Sequence, residues 1–241
     1  MEKTIIFHIP HDGCEFPSDL MSAVKIDQEL FLQYHKEMQD LDATEFVPQV
    51  PHAKLLKFPI SRLLCDVERF IGTGEIMEQY GMGFCYEKVY DGTVIKNVDN
   101  TTRKRAHEIY QEHHRTLDTL VQTAKSPILL IDLHSFSEKI IVHQKLDKPL
   151  PDICIGYDDY LSEADLQKII SIFSENGFSV AVNYPYSGSL IPNCIISKKA
   201  NKEITSFMIE VNKAFYVSNG VSDPEKLHLI RQTIERIIYS L

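Results

Sequence analysis

The chain has 241 residues, 44% of them hydrophobic and 24% charged, a composition that suits an ordinary water-soluble globular protein able to bury a full core. With 34 Asp and Glu against 25 Lys and Arg, the net charge of −9 excludes a general polyanion binder, because a field of that sign repels nucleic acid and anionic membrane surfaces. A small anionic substrate held by a local pocket is still compatible with it.

In chain order, Thr4 to Ile9 reads as a buried strand that ends in His8-Ile9-Pro10-His11-Asp12-Gly13-Cys14-Glu15. Ala53 to Phe58 reads as a second strand and leads into Ser61-Arg62 and Asp66-Val67-Glu68-Arg69. The glycine-rich stretch 72–99 has no clear period and is expected to form long loops or a flap over a site. Residues 101–124 carry Ala106, Tyr110, His113, Leu117, Leu120 and Ala124 on one stripe, which predicts a helix capped by Asn100 or Thr101. Further strands are expected at Pro127 to Leu133, Asp152 to Gly156, Phe178 to Asn183 and Ile204 to Val211. A helix starting at Ser162 should end at Gly177, and a terminal helix should start at Ser222-Asp223-Pro224-Glu225 with Leu227, Ile230, Ile234, Ile237 and Leu241 inward. Strands alternating with helices predict a single α/β domain over 1–241, three layers with a mixed, largely parallel central sheet. No run approaches the ~20 apolar residues of a membrane span. The apolar start is too short for a signal peptide, and five cysteines stand without C-x-x-C spacing, so a reducing cytoplasm is the expected compartment.

Ligands of open α/β sheets bind beyond the carboxyl ends of the strands, so polar residues there carry the most weight. Two histidines and two carboxylates after the first strand supply zinc-ligand chemistry, although a plain polar junction would look the same. Arg62 and Arg69 enclose carboxylates and could grip a substrate carboxylate, or form a surface ion-pair network. Asp132 and His134 share one face at the end of an apolar strand, so the carboxylate can orient a metal-binding imidazole. Glu210 interrupts a buried strand and must be paired, protonated or turned to a cleft. Neither a Walker loop nor a G-x-S-x-G elbow is present, which sets aside phosphate cradling and serine hydrolysis.

Taken in order, Pro10-His11-Asp12-Gly13, Ser61-Arg62 through Asp66-x-Glu68-Arg69, Asp132-Leu133-His134-Ser135, Asn183-x-Pro185-Tyr186-x-Gly188 and Glu210-Val211-Asn212 resemble the N-formylglutamate amidohydrolase family, a relative of zinc carboxypeptidases and aspartoacylases. The resemblance spans about Ile5 to Tyr216. It implies a phosphorylase/hydrolase-like α/β/α fold and a zinc-dependent amidohydrolase acting on a small anionic N-acyl amino acid. By position, His11 and His134 would be zinc ligands, with Glu15 as the carboxylate ligand and Asp12 or Asp42 in reserve. Glu210 would be the base for the attacking water, Arg62 the group near the developing oxyanion, and Arg69, Asn183 and Tyr186 the substrate-binding residues. Two departures bear on the substrate: Glu68 stands where the relatives usually carry asparagine, and Lys213 where many carry arginine. A carboxypeptidase-like or other deacylase, and a metal-free binding module, are the competing readings.

Overall fold

The computed structural model describes residues 3–72, 74–142 and 144–241. Six apolar runs pair into one sheet: β1 (Thr4–Ile9), β2 (Ala53–Lys57), β3 (Ile128–Phe136), β4 (Ile153–Gly156), β5 (Val180–Val182) and β6 (Ile204–Asn212), in the spatial order β2-β1-β3-β6-β4-β5. Neighbours run parallel except β4 and β6, so β4 and β5 oppose the other four strands. Every residue of β1 and β3 is buried, as expected for strands covered on both faces. The helices are α1 (Ser18–Met21), α2 (Gln28–Met38), α3 (Asn100–Thr123), α4 (Glu163–Glu175), α5 (Asn193–Ile196), α6 (Lys213–Tyr216) and α7 (Pro224–Ser240). A short hairpin of β7 (Val217–Ser218) and β8 (Val221–Ser222) turns through Asn219 and Gly220, both at positive φ.

Strand alternation divides the core. Ile5, Phe7, Ile9, Leu129, Ile131, Leu133, Phe207 and Ile209 face α4 and α7, which contribute Leu166, Ile169, Phe173, Ile230, Ile234 and Ile237. On the other face, Ile6, Ile128 and Leu130 meet Leu117 and Val121 of α3. Helices therefore cover both sides of the sheet, the α/β/α layering expected from the sequence. Further along the same strands the second face turns polar, with His8, Asp132, His134 and Glu210 all buried.

A separate apolar cluster joins Phe31 and Met38 of α2 to Leu63, Leu64, Met77, Met82, Tyr86 and Ile95. The stretch 72–99 does contain long loops and one 3-10 turn, Ile76–Tyr80, but its apolar residues are anchored in this cluster. The fully buried Lys96 fastens it, donating from Nζ to the carbonyls of Leu63 and Leu64, each at 3.0 Å. It forms a wall rather than a loose flap.

The caps differ from expectation. Asp99, not Asn100 or Thr101, caps α3 by accepting from the Thr102 amide. Asp223 caps α7 by accepting from the amides of Glu225 and Lys226, while the Ser222 hydroxyl donates to Asp42. Leu241 is only partly buried, and Ile238 joins the inward stripe instead. Helix α2 has no counterpart among the expected elements, although Phe31, Tyr34, His35 and Met38 lie on one buried stripe and Asp27 caps it. Asp223→Ala is expected to lower the unfolding free energy by about 1 kcal/mol, the usual cost of a lost cap, measurable by urea denaturation.

Candidate active site

Strand register assembles the polar face. His8 pairs with Asp132 across β1 and β3, and His134 pairs with Glu210 across β3 and β6. Side chains directly opposite on parallel neighbours share a face, so an even-numbered set from three strands converges beneath one cavity of about 680 Å³. Arg62, Glu68, Arg69 and Tyr186 line it together with His11, Asp40, His134 and Glu210.

His11, just beyond β1, His134 and Asp40 form a tight buried triad. The two Nδ1 atoms stand 3.2 Å apart, and Asp40 Oδ2 lies 3.5 Å from His11 Nδ1 and 3.2 Å from His134 Nδ1. Ligands about 2.0–2.2 Å from a shared tetrahedral ion would be spaced by about 3.3–3.6 Å, so this donor set fits zinc. Asp40 reaches the site because its amide donates to the His11 carbonyl at 3.0 Å. Lys213 Nζ donates to the carbonyls of Glu37 and Gln39 and holds the end of α2 in place. Burial alone would lower the His134 imidazole, but Asp132 and Asp40 outweigh it and hold its pKa well above the ordinary value. In the bare chain a proton on His134 is therefore the positive charge between these groups. A metal ion bound there would have to displace it.

Asp66 organises the wall beside the triad. Its carboxylate is fully buried and accepts from His11 Nε2 at 2.9 Å, Arg62 Nε at 3.1 Å and Nη2 at 2.9 Å, Tyr86 hydroxyl at 2.8 Å and the Glu68 amide at 3.0 Å. Burial would raise its pKa, yet His11 and Arg62 hold it well below the carboxylate range. With His11 Nε2–H committed to Asp66, Nδ1 presents its lone pair to Asp40 and His134. Arg69 Nε stands 3.7 Å from Asp66 without a hydrogen bond. Glu210 is buried, its Oε2 has no hydrogen-bond partner, and burial pushes its pKa up to about 8 against the opposing pull of His134.

Residues 3–217 match the N-formylglutamate amidohydrolase family. The chain belongs to that family. The crystal structure of N-formylglutamate amidohydrolase from Ralstonia eutropha JMP134 is similar to it with a TM-score of 0.75 at 18% identity, over 100% of this chain and 96% of that one. A gene product of Agrobacterium tumefaciens follows with a TM-score of 0.66 at 14% identity, over 99% of this chain and 92% of that one. These two likenesses establish the fold. No curated protein matches the chain in sequence.

Within this N-formylglutamate amidohydrolase family member, His11, His134, Arg62, Arg69, Tyr186 and Glu210 line the same cavity. Glu15 does not. Gly13 packs so closely on the backbone of Phe58 and Pro59 that a Cβ would sit 2.5 Å from the Phe58 oxygen, and the chain then leaves the site. Glu15 pairs its backbone with Ile60 and is exposed. The reserves are also engaged elsewhere: Asp12 binds Lys57, Thr44 and Gln39, and Asp42 accepts from Ser222. Asp40, not Glu15, is the carboxylate beside His11 and His134. Asn183 is exposed and outside the cavity lining; its Oδ1 accepts from the amides of Tyr157 and Gly188 and so shapes the loop that carries Tyr186. Sequence reasoning also passed over Asp66, whose position between two arginines was the available signal. The signal for Asp40 was the amphipathic stripe of α2 immediately before it.

Asp40→Ala is expected to lose more zinc affinity than the about 10–100-fold typical of an outer-shell partner, whereas Glu15→Ala should bind as the parent does. Titration calorimetry checks both. Affinity should rise with pH, since His134 must give up its proton to the ion.

Proposed function

We propose that this protein is a zinc-dependent amidohydrolase that releases formate from N-formylglutamate or a close N-acyl amino acid. Family membership and the triad geometry support the reading, and one observation carries it: Glu210 stands opposite His134 in strand register, with an unpartnered oxygen beside the triad. When bound by His11, Asp40 and His134, zinc supplies Lewis acidity that makes water nucleophilic near neutral pH and polarises a carbonyl.

The protein's own groups supply the rest. Glu210 takes the proton of the attacking water and returns it to the leaving amine nitrogen, a transfer suited to a carboxyl whose pKa burial has raised. Arg62 has Nε and Nη2 committed to Asp66, and its Nη1, 3.9 Å from Asp40, is the nitrogen left to face a developing oxyanion. Arg69 grips a substrate carboxylate with the guanidinium edge that Asp66 does not hold by hydrogen bonds. Tyr186, packed edge-on against Phe136, closes the opposite wall.

A second reading, a deacylase for bulkier N-acyl amino acids, draws on the apolar side chains Phe70, Ile76, Met77, Met82 and Ile191 that also line the cavity. Free cysteines throughout fit a cytoplasmic setting.

Glu210→Gln should retain zinc and lose about 10²–10⁴ in kcat. The decisive assay sets the zinc-loaded enzyme against N-formylglutamate, N-acetylglutamate and N-formyl derivatives of apolar amino acids. Turnover of the first points to the formylglutamate reading, preference for the last to the second reading, and no turnover of any member defeats both.

A further inference from the structure

A second cluster adjoins the triad, and two of its members, His8 and Glu68, have no task in the reaction above. His8, Glu68 and Asp132 each bring one ligand atom within 4.8 Å of the others. Asp132 Oδ1 is 2.8 Å from His8 Nδ1, and Glu68 Oε1 is 3.4 Å from the same nitrogen. His8 can donate its one Nδ1 proton well to only one of them, and it goes to Asp132. Glu68 Oε1 is then left buried with no hydrogen-bond partner, and Asp132 Oδ2, which makes no hydrogen bond either, has only the ion-pair contact with His134 Nε2 at 3.2 Å. Two carboxylates desolvated around one imidazole are costly unless a further cation or a proton joins them.

The surroundings are those of a ligand set. His8 Nε2 is 2.7 Å from His113 Nε2, and Phe58 packs edge-on against the His113 ring. That contact fixes the His8 ring and offers an acceptor for Nε2–H, so an ion that displaces the Nδ1 proton meets the Nδ1 lone pair of the other tautomer. The 3.4 Å separation of His8 and Glu68 is already that of two ligands on one ion. The 2.8 Å contact with Asp132 has to open by only about 0.5 Å to match it.

We infer that His8, Glu68 and Asp132 form a second divalent-cation site beside the His11–Asp40–His134 group. One imidazole with two carboxylates suits zinc or manganese. The two sites are linked through Asp132, whose Oδ2 lies 3.2 Å from His134 Nε2. The ion has a consequence for recognition that rests on the function proposed above. Glu68 lines the cavity next to Arg69, where its negative charge would oppose an anionic substrate; an ion held by Glu68 turns that end of the cavity positive.

The test is metal stoichiometry. The full-length protein and its variants are loaded with Zn²⁺, then separately with Mn²⁺, dialysed, and measured for metal per chain, with circular dichroism as the control for folding. The wild type should hold about two ions, Glu68→Gln and His8→Asn about one each, and Asp40→Ala about one that Glu68→Gln then removes. Two independent variants of the second site keep the test intact should one of them fail to fold. Equal metal content in wild type, Glu68→Gln and His8→Asn overturns the second site. A wild type with one ion that disappears in Asp40→Ala overturns it too while leaving the first site standing. A wild type that takes up no metal overturns both.

Discussion

The buried carboxylate of Asp66 is the constraint on which the rest of the site depends. It sits with no solvent exposure and is stable there because five donors converge on it: His11, two nitrogens of Arg62, the Tyr86 hydroxyl and the Glu68 amide. A buried carboxylate satisfied to this degree fixes its partners as firmly as they fix it. It selects the His11 tautomer, keeps Arg62 flat against the wall of the cavity and sets the turn on which Glu68 and Arg69 project. Tyr86 in turn belongs to the apolar cluster of α2 and the 72–99 stretch, so the order of that irregular segment is transmitted to the triad through one hydrogen bond.

Strand geometry supplies the other half of the site. A carboxylate and an imidazole two residues apart on β3 must share a face, and the glutamate opposite them on β6 must share it as well. That part was legible in the sequence, because period two is a local property of any strand and the apolar runs around Asp132, His134 and Glu210 are unambiguous. So were the strand segments along the chain, the mixed, largely parallel sheet and the two-sided covering by helices.

Asp40 was not legible in the same way. Its place depends on α2 being drawn back so that the Asp40 amide meets the His11 carbonyl, and on Lys213 binding the last carbonyls of that helix from far along the chain. Such long-range hydrogen bonds leave no spacing to read. Glu15 looked better because it is near His11 in sequence, but proximity along the chain fails at Gly13, where close backbone packing turns the loop away. Asn183 misled for a related reason: at φ 51 it occupies a left-handed turn position, and there an asparagine side chain satisfies its own loop.

The carboxylates of the site outnumber its basic side chains, so under the proposed function an anionic substrate would need positive charge from outside the chain. Asp40, Asp66, Glu68, Asp132 and Glu210 bring five carboxylates into or beside the cavity, against the basic side chains Arg62, Arg69 and Lys213. The bare chain resolves the excess with protons: burial holds Glu68 well above its ordinary pKa and Glu210 at about 8, and the carboxylates keep a proton on His134. The protons on Glu68 and His134 sit where a divalent ion would compete for the same lone pairs. Metal and proton are thus alternative ways of neutralising one cluster, and under the proposed function a metal would favour an ionised Glu210 while adding the positive charge that a substrate carboxylate requires.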